Sequence, residues 1–199
     1  MAHFIYFTMD SFVTNGIEKT RKVRDKILNK PAKFLIKLKV NASLMSTLSL
    51  LSGIIGAYYL FDNYLLSLLF MIIHLLADSF DGVIARIKST ESEFGKYLDS
   101  TIDRLITLAI LVRIFFILGD YYIIIIGAIF VLTQSIHLIS DMKSPVMFSR
   151  TTALIILFVL GPLISVNFLA IATYLTIGAI SLYSLMSQGE YYLKKKFKI

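Results

Sequence analysis

No cysteine occurs in the 199 residues, which excludes disulfides, thiolate metal sites and cysteine nucleophiles. Charge is also scarce. Asp, Glu, Lys and Arg make up 17% of the chain, where an ordinary soluble domain has about 25%, and hydrophobic residues make up 57%. That balance excludes a soluble single domain, and it excludes a disordered chain, which needs low hydrophobicity and few aromatics. No repeat, Gly/Ser linker or low-complexity segment marks a second domain. The stretch Met1 to Met9 is apolar but short and lacks a basic start and a small-residue cleavage site, so no secretory leader is expected. What remains is an integral membrane protein with little mass outside the bilayer.

Apolar runs near the 20 or so residues that a helix needs to cross about 30 Å of hydrocarbon fall at about 42–60, 64–87, 97–118, 121–140, 149–166 and 168–187. The expected fold is therefore an all-α integral membrane protein with six transmembrane helices. The weakest break is the last, punctuated only by Pro162 and Asn167, and a five-helix reading there would put the C-terminus on the other side. Residues 1–40 form a cytoplasmic juxtamembrane segment. Its nine basic residues interleave with Val23, Ile27, Phe34, Leu35 and Leu38 as one or two amphipathic interfacial helices broken at Pro31. Residues 41–188 form the membrane domain, and 189–199 a basic tail holding Lys194, Lys195, Lys196 and Lys198.

The net charge of +7 is informative through its placement. With six helices, one side receives the N-terminal basic residues, Arg86, Lys88, Lys96, Arg104, Lys143, Arg150 and the tail. Basic loops stay in the cytoplasm, so both termini are expected there, in the cell membrane. Arg113 is the exception, placed to snorkel at the far end of its helix. The basic excess reads as a membrane-surface charge rather than a nucleic-acid site.

Carboxylates at bilayer depth cost about 2.5–3.5 kcal/mol each and mark functional sites by default. Asp78 and Asp81 are spaced i, i+3 at the end of the second helix, and Asp99 and Asp103 are spaced i, i+4 at the start of the third. Each pair shares a helix face, and the short connection between them folds the helices antiparallel. Like charges about 6 Å apart repel by roughly 3 kcal/mol at an effective dielectric near 20. Divalent cations relieve that repulsion, and all-oxygen ligands favour hard ions such as Mg²⁺ or Mn²⁺. Two such ions balance four carboxylates and can grip a pyrophosphate. Gly82 and Ala85 let a bulky group approach the helix, and Arg86 offers a fork for phosphate oxygens.

The pattern D-x2-D-G-x2-A-R-x8-G-x3-D-x3-D is filled by Asp78, Asp81, Gly82, Ala85, Arg86, Gly95, Asp99 and Asp103. It resembles the signature of the CDP-alcohol phosphotransferase (phosphatidyltransferase) family. Eight fixed residues at about 6% abundance match by chance on the order of 10⁻¹⁰ per start. The resemblance implies a membrane enzyme of phospholipid synthesis, usually a homodimer, that moves a phosphoryl-alcohol group from a CDP-linked lipid to a second alcohol and releases CMP. Asp78, Asp81, Asp99 and Asp103 are implied as ligands of two metal ions, Asp103 as general base, and Asp78, Gly82, Ala85 and Arg86 as nucleotide contacts. Many members open the first helix, near the nucleotide, with an Asn and a Thr three residues later, where this chain has Ser43 and Ser46 as candidate nucleotide contacts, with Asn41 two residues early.

Arg104, Lys143 and Arg150 are candidates for an anionic acceptor, unless they are ordinary topology signals. The Asp103-Arg104 wording resembles that of inositol-phosphate-accepting members, which favours such an acceptor over glycerol 3-phosphate or serine. His74, one turn from Asp78, either orients that carboxylate or is packed between helices, and Gln134 and His137 read as packed polar residues. No Ser-His-Asp arrangement is evident, so direct attack by the acceptor is expected. The rival from another class is a divalent-cation or proton transporter using the same acids. Against it, no comparable row of acids continues across the later helices.

Overall fold

A computed structural model describes residues 23–146 and 165–197. These are helical throughout apart from short connections: α1 (23–37), α2 (Ala42–Tyr59), α3 (Tyr64–Ile87), α4 (Glu93–Leu118), α5 (Tyr122–Ile139) and α6 (Val166–Phe197). Four of them, α2, α3, α5 and α6, are long and apolar enough to cross a membrane. The 26-residue α4 falls short of that measure because of its charges, Asp99, Asp103 and Arg104 among them. The expected fifth helix lies almost wholly outside the described residues, as does Arg150.

Three expected boundaries are corrected. Pro31 does not break α1. A proline in a helix frees the carbonyl four residues earlier, here Ile27, and both residues are exposed, so water or headgroups can satisfy that carbonyl. Helix α4 starts at Glu93 rather than near 97, because its polar first turn carries no hydropathic signal. Asn167 does not punctuate the last helix but lies in its first turn, where the Leu169 amide already donates to the Ser165 carbonyl at 2.9 Å. The same helix runs on to Phe197, so Lys194, Lys195 and Lys196 form its last turn, where cations complement the C-terminal dipole.

The chain divides into two compact units. One contains α1, α2 up to Ser49, and α3 from His74 on to Ser92. Its core is Ala32, Met45, Ala77, Val83 and Ile84, with Leu28, Leu35 and Ile36 of α1 packed against it. Val23, Ile27, Phe34 and Leu38 point the other way, exposed among lysines. Helix α1 thus has one stripe for protein and a second suited to the acyl–headgroup boundary. Helices α1 and α3 both close with a left-handed residue, Lys39 and Ser89. In each, an amide reaches back five residues, Val40 to Leu35 at 3.1 Å and Thr90 to Ala85 at 2.9 Å, the Schellman arrangement that satisfies end carbonyls.

The second unit holds Leu50–Ile73 and the chain from Glu93 on. Within it α2 and α3 meet closely at Gly56: a Cβ there would come within 3.0 Å of Met71 Cγ, and the Ser67 hydroxyl donates to the Gly56 carbonyl at 2.7 Å. Such close approach and interhelical hydrogen bonding are what hold helices together in lipid. Helix α4 presents Ile102, Ile106, Ile110 and Ile114 as a buried stripe, and α4, α5 and α6 pack on one another. Arg113 does not snorkel unaccompanied. It pairs with Asp62, donates to the Tyr58 carbonyl at 3.2 Å and stacks over the Tyr58 ring. Leu65, Leu69, Val112, Phe116, Ile125 and Leu182 remain exposed, an outward apolar surface that belongs against lipid.

Candidate active site

In the first unit Asp78 and Asp81 lie on the last turns of α3, sharing a face through their i, i+3 spacing. Asp81 is buried, at 8% exposure. The Ser46 hydroxyl on α2 donates to its Oδ2 at 2.8 Å, so a residue expected near the nucleotide holds a candidate metal ligand. Such partners orient a ligating carboxylate. Asn41, two residues ahead of the usual family position, caps α2 instead, its Oδ1 accepting from the Leu44 amide at 2.9 Å. Ser43 is exposed on the first turn.

Arg86 reaches α1. Its Nη2 donates to Asp25 Oδ1 at 2.5 Å, and Nη1 lies 3.9 Å from Glu91. Gly82 explains how the guanidinium fits: a Cβ at that position would stand 3.3 Å from Arg86 Nη1. The small residue accommodates the arginine one turn later as well as any ligand. Asp25 has no forecast role, although it is the sole acid among the basic residues of 19–39. His74 is fully buried, with Nδ1 at 2.9 Å from the Ser49 carbonyl and 2.8 Å from its hydroxyl. A carbonyl only accepts, so Nδ1 carries the proton, and the ring pins α3 to α2.

In the second unit Asp99 and Asp103 share a face of α4 through their i, i+4 spacing, Asp99 exposed and Asp103 half-buried. Arg104, one position on, is turned toward α5, where its Nε donates to Gln134 Oε1 at 2.9 Å. Gln134 is therefore more than a packed polar residue: it fixes the direction of a candidate substrate-binding guanidinium. Next to it, the Thr133 carbonyl accepts from Gln188 Nε2 of α6 at 3.0 Å. His137 Nδ1 lies 2.7 Å from the Ser144 carbonyl in the turn after α5, so it too is a structural partner. Lys143, in that turn, is exposed and 3.6 Å from Asp141.

Each unit thus carries one pair of acids, on either side of the five-residue connection 88–92, and each pair offers carboxylate oxygen as its donor chemistry. That chemistry fits hard divalent cations. Residues 39–188 match the family model of CDP-alcohol phosphatidyltransferase, and this range includes both pairs. An uncharacterized protein of Aquifex aeolicus is 34% identical over 89 residues, 43% of this chain and 45% of that protein. An archaetidylinositol phosphate synthase of Pyrococcus horikoshii is 31% identical over 94 residues, 45% of this chain and 50% of that one. The chain thus aligns with about half the length of these curated relatives. Because the family model spans most of the chain and includes every motif position from Asp78 to Asp103, the chain belongs to the CDP-alcohol phosphatidyltransferase family.

Proposed function

We propose that this protein transfers a phosphatidyl-type group from a CDP-linked lipid to a polar alcohol at the cytoplasmic face of the cell membrane, with 41–188 as the catalytic domain of a homodimer. The observation that carries the reading is the complete aspartate signature, Asp78 and Asp81 on the last turns of α3 and Asp99 and Asp103 on the first turns of α4, inside the family match. Asp78, Asp81, Asp99 and Asp103 would hold two Mg²⁺ or Mn²⁺ ions. Bound there, such ions would neutralise the pyrophosphate and stabilise charge on the transferring phosphoryl group.

The chain's own residues supply the rest. Asp103 accepts the proton of the acceptor hydroxyl as general base. The freed oxygen bonds to the lipid-bearing phosphorus, and the bond from that phosphorus to the bridging oxygen breaks, so CMP leaves with the bridging oxygen. Gly82 and Ala85 give the CDP moiety access to α3, with Asp78, Ser43 and Ser46 as further nucleotide contacts. Arg86, steadied by Asp25, presents its remaining N–H groups to phosphate oxygens. Arg104, Lys143 and Arg150 supply the positive charge that an alcohol phosphate needs.

Inositol phosphate is the favoured acceptor, supported by the Asp103-Arg104 wording and by the name of the Pyrococcus horikoshii relative. The test is CMP release by purified protein given Mg²⁺, CDP-diacylglycerol or its ether-lipid counterpart, and one acceptor at a time. The expected result is turnover with inositol 1-phosphate at least about tenfold above glycerol 3-phosphate and serine, a factor corresponding to roughly 1.4 kcal/mol. Preference for serine would overturn the acceptor assignment.

A further inference from the structure

Arg104 is an unusual cation for its surroundings. Its Nε is committed to the buried amide oxygen of Gln134 at 2.9 Å. Its Nη1 is buried and has no hydrogen-bond partner among the described residues. A buried N–H of a charged group left unmet is costly, more so than for a neutral donor. A neutral amide satisfies one edge of the guanidinium without cancelling its charge. The arrangement suits an anionic oxygen arriving at the other edge.

On α6 a complementary group is left over. Gln188 Nε2 donates to the Thr133 carbonyl, which only accepts and so fixes the amide with its nitrogen toward α5. Gln188 Oε1 is then buried without a partner among the described residues. The seam among α4, α5 and α6 therefore offers unmet donors on Arg104 and an unmet acceptor on Gln188. An alcohol phosphate carries both counterparts, anionic oxygen and hydroxyl.

We infer that Gln134 is the positioning residue for acceptor recognition: by holding Arg104 Nε, it aims the rest of the guanidinium at the phosphate of a phosphorylated alcohol. This rests on the transfer reading above and adds a residue to which neither the motif nor the family match gives a role. The side chain acts through Arg104 and takes no part in the proton transfer at Asp103.

The test is calorimetric binding of inositol 1-phosphate and glycerol 3-phosphate to full-length protein in detergent, with inositol and glycerol as unphosphorylated controls. Wild type is expected to prefer each phosphate over its parent alcohol. Gln134→Met, of similar volume, is expected to reduce that preference about tenfold. Gln134→Glu keeps the oxygen but adds a charge that cancels that of the guanidinium, so it too is expected to lower the preference, by at least as much as Gln134→Met. Arg104→Lys keeps the charge without the Nε–H and is expected to match Gln134→Met, so the proposal is tested from both sides of the bond. An unchanged preference in Gln134→Met, or no preference in wild type, overturns the assignment. CMP release from a CDP-linked lipid is read separately in the same preparation. Turnover with the preference absent removes only the role of Gln134, whereas a preference without turnover contradicts the transfer reading and leaves the binding site standing.

Discussion

Asp103→Asn is expected to reduce CMP formation by about a thousandfold or more while the protein keeps its helical content and melting temperature. The substitution preserves shape and one oxygen but removes the negative charge and the basicity. Positioned general bases contribute typically about 10²–10⁴-fold, and loss of a ligand charge adds to that. The fold should tolerate the change because Asp103 is half-buried on a helix whose packing is carried by Ile102, Ile106, Ile110 and Ile114. Circular dichroism and thermal melting check the fold, and a CMP assay at saturating donor and acceptor checks the chemistry. Activity within tenfold of wild type would remove Asp103 from the role of base. Asp99→Asn serves as the comparison: it removes an equal charge one turn away, so a loss much smaller than that of Asp103→Asn would separate the base from a ligand.

The second large effect is loss of activity on chelation. With EDTA in excess, CMP formation is expected to fall to background, and added Mg²⁺ or Mn²⁺ to restore it. Carboxylate-only donors select hard cations, and Ca²⁺, with its longer bonds and looser coordination, is expected to restore little. The buried Asp81 with its Ser46 partner gives the expectation a second handle. Partners of this kind typically change metal affinity about 10–100-fold, so Ser46→Ala is expected to raise the Mg²⁺ needed for half-activity by a factor in that range. Full activity in EDTA would contradict the role assigned to the aspartates.

What was legible in the sequence divides along physical lines. Helices α2, α3 and α5 were readable nearly to the residue, because lipid demands long uninterrupted apolar runs and Asp62-Asn63 and Gly119-Asp120 stop them abruptly. The start of α4 was not, since Glu93 to Lys96 reads as a loop by hydropathy yet completes a helical turn. Pro31 misled for the opposite reason: a local rule was overridden by an exposed position where the freed carbonyl stays solvated. The four aspartates stood out because charge is rare in such a chain and their spacing is helical. Their supporting residues did not. Ser46 meets Asp81 across 35 positions, Asp25 meets Arg86 across 61, and Gln134 meets Arg104 across 30. None of these pairings has a local periodicity to announce it, and Gln134 by itself looks like any packed polar residue.

The central claim is that these acids serve phosphoryl transfer rather than ion passage. It is tested most directly in sealed proteoliposomes that contain the protein, a CDP-linked lipid, inositol 1-phosphate and Mg²⁺, with CMP and Mg²⁺ flux followed in the same sample. The account predicts CMP released in step with new phospholipid and no flux above protein-free vesicles. Flux through the protein with no CMP formed would contradict it.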